Sequence, residues 1–237
     1  MPESPMQMKK EKNNLAASAH LFERVVRKIN FNTFDDLQPL MVAFPHIHMR
    51  DDFKLDGYNA GEAINAVLKL YARKIGTKSR YNPGEKDLTP FVEGQYIHNT
   101  IPSHASNTVP SVAEYLKLPF TPVAIWEAVM LVVASRLYLK HRGHGCYNNG
   151  MMVVDNVSLW MASLSVGVDC KSLINDSRIP PTIDIISDQE AIVRYCYWND
   201  WSGLIRLTIV VSRKEKGIAC NITGKEVIIE YHSGNRY

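Results

Sequence analysis

The chain has 237 residues, 46% of them apolar and 22% charged, with a formal net charge of +3. This is an ordinary globular composition on a chain long enough for a substantial core. The basic excess is slight, 13 Lys/Arg against 9 Asp/Glu in residues 1–80 and 14 against 15 in the rest, and does not demand a polyanionic partner. The four cysteines, Cys146, Cys170, Cys196 and Cys220, form no C-x-x-C pair, which excludes a zinc ribbon or a thioredoxin-like motif. They read as free thiols of a reducing compartment.

Residues 1–13 are polar and lysine-rich and predict a disordered lead-in. They lack the apolar run of a secretory signal. From Leu15, apolar positions recur in steps of three and four through Ala19, Phe22, Val25, Val26 and Ile29, the pattern of an amphipathic helix. A short second helix is expected around Pro39. A third is predicted from Asn59, with Glu62 completing a capping box. Its stripe is Ile64, Val67, Leu68, Tyr71 and Ile75, and Gly76 ends it. Residues 77–110 are rich in Pro, Gly, Asn, Ser and Thr and predict a long loop.

Thr121 and Pro122 open a helix that is apolar nearly all round, expected over about 121–141. Only 17 residues separate Pro122 from Lys140, and Glu127 and Arg136 lie among them, so a buried core helix is expected rather than a membrane span. From about Ile183 the period changes to two. The runs TIDIIS, AIVRYCYW, LIRLTIVVS, GIACNIT and EVIIEYH predict five strands of an antiparallel meander over about 183–232. In the third run Ile205, Leu207, Ile209 and Val211 should face the core. In the fifth, Val227, Ile229 and Tyr231 should oppose Glu226, Glu230 and His232. The fold expected is α+β: N-terminal helices around a buried central helix, packed on a C-terminal antiparallel sheet. Residues 14–237 would form one domain, divisible into a helical part over 14–142 and a mainly β part over 151–237.

Few residues point to chemistry. His46 and His48 form an H-x-H pair that, on a strand, would place both imidazoles on one face, as two zinc ligands require. The seven residues Pro45–Asp51 resemble the first metal motif of dihydroorotase-type amidohydrolases. That resemblance implies metal ligation by His46 and His48 and a substrate-carboxylate contact from Arg50. The family requires a (β/α)8 barrel, which the expected helices and meander contradict, and it is set aside on that ground. His141, His144 and Cys146 follow the central helix with glycines between them. Together with His46 and His48 they are the candidate metal ligands, with zinc as the ion. The same segment also reads as a helix end with its turn.

A basic set, Lys69, Arg73, Lys74, Lys78 and Arg80, is the candidate for nucleic-acid or anion contact, the first three projecting from the helix expected after Asn59. Glu127 is a carboxylate on an enclosed helix. Such a group must be paired or protonated, and it suits either acid–base work or a structural hydrogen bond. Asp184 and Glu215 give a weak nuclease pattern, with Glu215 in a turn. No P-loop, dinucleotide fingerprint, H-E-x-x-H or G-x-S-x-G occurs.

The function expected is that of a non-catalytic binding or assembly protein, cytoplasmic and without a membrane contact. It would be a subunit of a larger protein or protein–nucleic-acid complex, with Trp198 and Trp201 as candidate anchors. The alternative is a metal-dependent hydrolase or nuclease built on the two histidine clusters.

Overall fold

A computed structural model describes residues 5–26, 37–60, 67–76, 112–134, 151–199 and 203–231. It contains helices and antiparallel sheets, an α+β fold. Helix α1 spans Pro5–Val26 and buries Leu15, Ala19, Phe22 and Val26, the stripe that its periodicity marks. It begins at Pro5 rather than at Leu15, so part of the lysine-rich lead-in is helical. Helix α2, Gln38–Val42, is a single turn and a half with Pro39 in its first turn. Phe44 follows it and packs on Phe22, with ring centroids 5.4 Å apart.

Strands β1 (His48–Met49) and β4 (Leu116–Lys117) form a small antiparallel pair. Between them lies a hairpin of β2 (Phe53–Ala60) and β3 (Val67–Lys74), paired along eight positions. This replaces the helix expected from Asn59. Val67, Leu68 and Tyr71, at helical spacing, were outweighed by a neighbouring strand that satisfies the backbone of both segments and sets Asp56 opposite Tyr71, while Glu62 and Ile64 lie outside the described residues. Ile75, the last residue of the expected stripe, is exposed, and Gly76 has φ +85° beyond the strand.

Helix α3 opens at Pro122 and runs to Val129, continuing as a π-helical turn over Met130–Ala134. Residues 124–133 are all buried. The Trp126 indole N–H donates to the Leu15 carbonyl at 2.9 Å, and its ring meets Tyr195 edge-on at 5.4 Å. The rest of the expected central helix, Arg136 included, and the 77–110 loop lie outside the described residues.

The large sheet has five strands. β5 (Met151–Val153) and β6 (Thr182–Ser187) pair with different stretches of one edge of β7 (Glu190–Asn199). β8 (Gly203–Lys214) and β9 (Gly217–Ile229) continue on the other edge. GIACNIT and EVIIEYH are therefore not two strands but chiefly one. The TGK between them is no turn. Gly224 sits opposite Thr208, where an added Cβ would lie 3.2 Å from the Thr208 Cβ. Register shifts near Thr223 and Ile228 absorb two extra residues as bulges. The second bulge separates the faces of Val227 and Ile229: Val227, expected in the core, pairs with Ile205 but is exposed, while Ile228 and Ile229 are half-buried against the cluster that holds Leu204.

The sheet is apolar on both sides at one end. Ala191, Val193, Tyr195, Ile205, Leu207, Ile209 and Val211 join α1 and α3 in the main core. Val153, Cys196, Trp198 and Leu204 face the opposite way and meet Leu159 and Ala162 of helix α4, Asn156–Val166. No sequence pattern had assigned this helix. Asp155 caps it by accepting from the Ser158 amide at 2.8 Å, and the Ser158 hydroxyl oxygen accepts in return from the Asp155 amide at 3.1 Å. Gly167, at φ 68°, ends it.

Candidate functional site

His46 lies in the turn between α2 and β1, and Glu127 projects from the middle of α3 toward it. The Glu127 carboxylate accepts from the His46 backbone N–H at 2.9 Å through Oε2, and Oε1 lies 2.7 Å from the ring Nδ1. The Glu127 side chain is 2% exposed and that of His46 51%. The buried acid thus has its partner in the loop before β1, eighty-one positions away in the chain. An ionised carboxylate can only accept, so in this contact Nδ1 carries the hydrogen. A carboxylate behind one ring nitrogen is how metal-binding and general-base histidines are commonly oriented.

Of the other proposed ligands, the described one, His48, does not join His46. His48 sits on β1 opposite Lys117 and is exposed. Arg50 donates to the Lys216 carbonyl at 3.4 Å. His141, His144 and Cys146 lie outside the described residues. Among the described residues no group of three or more His, Cys, Asp and Glu is placed to hold a metal ion.

The basic set is divided. Arg73 is ion-paired with Asp56, which is itself buried and accepts from the Tyr71 hydroxyl and the Gly57 amide. It stands on strand β3, not on a helix, and its charge is engaged inside the hairpin. Lys69 and Lys74 are on the same strand, with Lys74 exposed. Lys78 and Arg80 lie outside the described residues. Asp184, half of the nuclease pattern, binds Arg194 at 2.5 Å, and Glu215 lies in the β8–β9 turn. Trp198 is no surface anchor. It is buried against Tyr231, with centroids 5.5 Å apart. Trp201 is outside the described residues. Cys170 and Cys196 are buried free thiols, and burial pushes the Cys196 thiol up to about 12, which leaves it unreactive.

A second feature escaped the periodicity analysis. Val157, Trp160, Met161 and Leu164 stand at i, i+3, i+4 and i+7 on α4 and are 61%, 61%, 51% and 62% exposed. The opposite face, Ser158, Leu159 and Ala162, is buried. The helix is anchored at its start, where the His20 ring bonds Asp155 at 2.8 Å and Asn156 exchanges two hydrogen bonds with Asn175. The signal was available in the sequence: Asp155, Ser158 and Gly167 as caps, and between them a mainly apolar segment with no charged residue.

No protein-family model, curated protein or solved structure matches this chain. Among the described residues no helix is long and apolar enough to cross a membrane.

Proposed function

We propose that the chain is a non-catalytic binding or assembly protein whose docking surface is the outer face of α4. The supporting observation is the row Val157, Trp160, Met161 and Leu164, four large apolar side chains more than half exposed on a capped and anchored helix. Water around such a row is released when a partner covers it, at about 25 cal/mol per Å² of apolar area. A tryptophan near the middle of a rigid patch is the type of residue that dominates interface energies. Lys171, exposed just past the helix, provides an amine for cross-linking. A protein partner should cross-link to Lys171 in cell extract with the wild-type chain and be lost with Trp160→Glu. Equal capture by both chains would reject the surface.

A second reading, a metal-dependent hydrolase or nuclease, draws support from the Glu127–His46 pair. With Nδ1 held by Glu127, Nε2 is the ring nitrogen left to take a zinc ion or a proton from water. Zinc titration followed by imidazole NMR tests it. Saturable binding at His46 that weakens in Glu127→Gln supports the reading, and an unperturbed His46 removes it.

A further inference from the structure

We propose that the outer face of the large sheet carries a binding site for a phosphate-type oxyanion, built by Arg206 and the hydroxyls of Thr182 and Thr208 beside the bare backbone of Gly224. Ile205, Leu207 and Ile209 point into the main core, so Arg206 and Thr208 point to the other side of β8. Register then places their neighbours. Thr182 pairs with Arg194, Arg194 with Thr208, and Thr208 with Gly224, so the four form one row across β6, β7, β8 and β9. Arg206 stands in the next row, between Cys196 and Glu226.

The charge of Arg206 is unmatched. Arg178 bonds Asp176 at 2.7 Å and Glu226 at 3.1 Å, and Arg194 bonds Asp184, so these three acids are engaged by other arginines. Arg206 is half-buried, and its one hydrogen-bond partner among the described residues is the Thr182 hydroxyl, 3.5 Å from an Nη. Its Nε is buried and makes no hydrogen bond. Such a guanidinium has charge and donors to spare, and its planar fork matches a phosphate. The hydroxyls add to it. Thr182 accepts from Arg206, which leaves its own hydrogen free to donate, and the Thr208 hydroxyl has no partner among the described residues.

The space is provided by Gly224. It has no positive φ, so the backbone does not call for glycine there. A side chain at this position would begin 3.2 Å from the Thr208 Cβ and 3.4 Å from its hydroxyl oxygen. Glycine leaves the approach to that hydroxyl open. A tetrahedral oxyanion takes donors from several directions, as a guanidinium and two hydroxyls on three different strands supply them. Glu226 lies two residues further along β9, with its charge turned to Arg178.

The test is titration of inorganic phosphate into the full chain, with sodium chloride holding the ionic strength constant, followed by calorimetry and backbone amide NMR. The wild type should saturate by about 10 mM, with its largest shifts at Thr182, Arg206, Thr208 and Gly224. Arg206→Gln should weaken binding at least about tenfold and Thr208→Val about threefold, the losses of a charge-assisted and of a neutral hydrogen bond. Arg213→Gln removes an exposed guanidinium beside Phe120 and should bind as the wild type does. Ribose 5-phosphate separates two sources of the group: binding as tight as phosphate or tighter assigns the phosphoryl group of a larger ligand, and weaker binding assigns the free ion. A wild type that does not saturate, an Arg206→Gln chain that binds equally, or an equal loss in Arg213→Gln overturns the site. If Arg206→Gln does not fold, Thr208→Val, which keeps the side-chain shape, decides alone: wild-type affinity in that variant overturns the site.

Discussion

The carboxylate of Glu127 holds both the backbone amide and the ring of His46, at 2.9 Å and 2.7 Å. One buried acid on α3 therefore fixes the turn that leads into β1 and also the orientation of a half-exposed imidazole. Its two oxygens are each satisfied, which is what allows a carboxylate to sit among the buried residues Ile125, Trp126, Ala128 and Val129.

Removing either partner should have unequal effects. His46→Ala strands a buried carboxylate with only the backbone amide and should cost about 2–3 kcal/mol. Glu127→Gln should cost only about 1 kcal/mol, because the amide NH2 can donate to Nδ1 if the ring hydrogen moves to Nε2. Urea unfolding gives the energies. Nitrogen-15 NMR of the imidazole reads the tautomer, and an Nδ1–H ring retained in Glu127→Gln would contradict this account of the pair.

Arg73 tests whether the basic set is a surface or part of the hairpin. Arg73→Ala should destabilise the protein by about 3 kcal/mol, since it leaves Asp56 charged in a buried site. Retention on immobilised DNA should not change with it at any salt concentration. A stable variant with weakened, salt-dependent retention would instead make Arg73 a phosphate contact.

The cap of α4 predicts an acid limb in the stability profile. Burial raises the Asp155 carboxyl, but hydrogen bonds from the Ser158 amide, His20 and the Ser158 hydroxyl outweigh it, and the group lies below its ordinary 3.8. A lowered folded-state value means stabilisation that is complete above about pH 4 and is lost as the pH falls through that lower value. Asp155→Ala should cost about 1 kcal/mol at neutral pH and flatten this part of the acid limb. Chemical unfolding at a series of pH values measures both effects. An equal cost at the lowest pH would show that ionisation is not involved.

Two glycines of the same backbone sign should respond differently to alanine. Gly167 has φ +68° and open space around it, so Gly167→Ala should cost only the left-handed strain, about 1 kcal/mol. Gly203 has φ +82°, and an added Cβ would lie 2.0 Å from the Ile229 carbonyl oxygen. Gly203→Ala adds a backbone clash between β8 and β9 to the same strain and should cost about 3 kcal/mol. Thermal melts of the two variants, read side by side, check the order.

Local periodicity by itself determined much of the frame. The α1 stripe, the Thr121–Pro122 helix start and the alternation along β8 follow from residues a few positions apart, because burial on one face imprints a period on the chain. Tertiary structure alone decided the rest. Val67–Lys74 could satisfy its backbone as helix or strand, and only the neighbouring Phe53–Ala60 made it a strand. The bulges in β9 depend on the register against β8 and leave no mark in the local pattern. His46 and Glu127 were each legible as candidates, but their pairing joins positions eighty-one apart, and no spacing rule connects such residues. The outer face of α4 is the converse case: the sequence shows a mainly apolar, uncharged segment, and only the folded chain reveals which side its own core leaves bare.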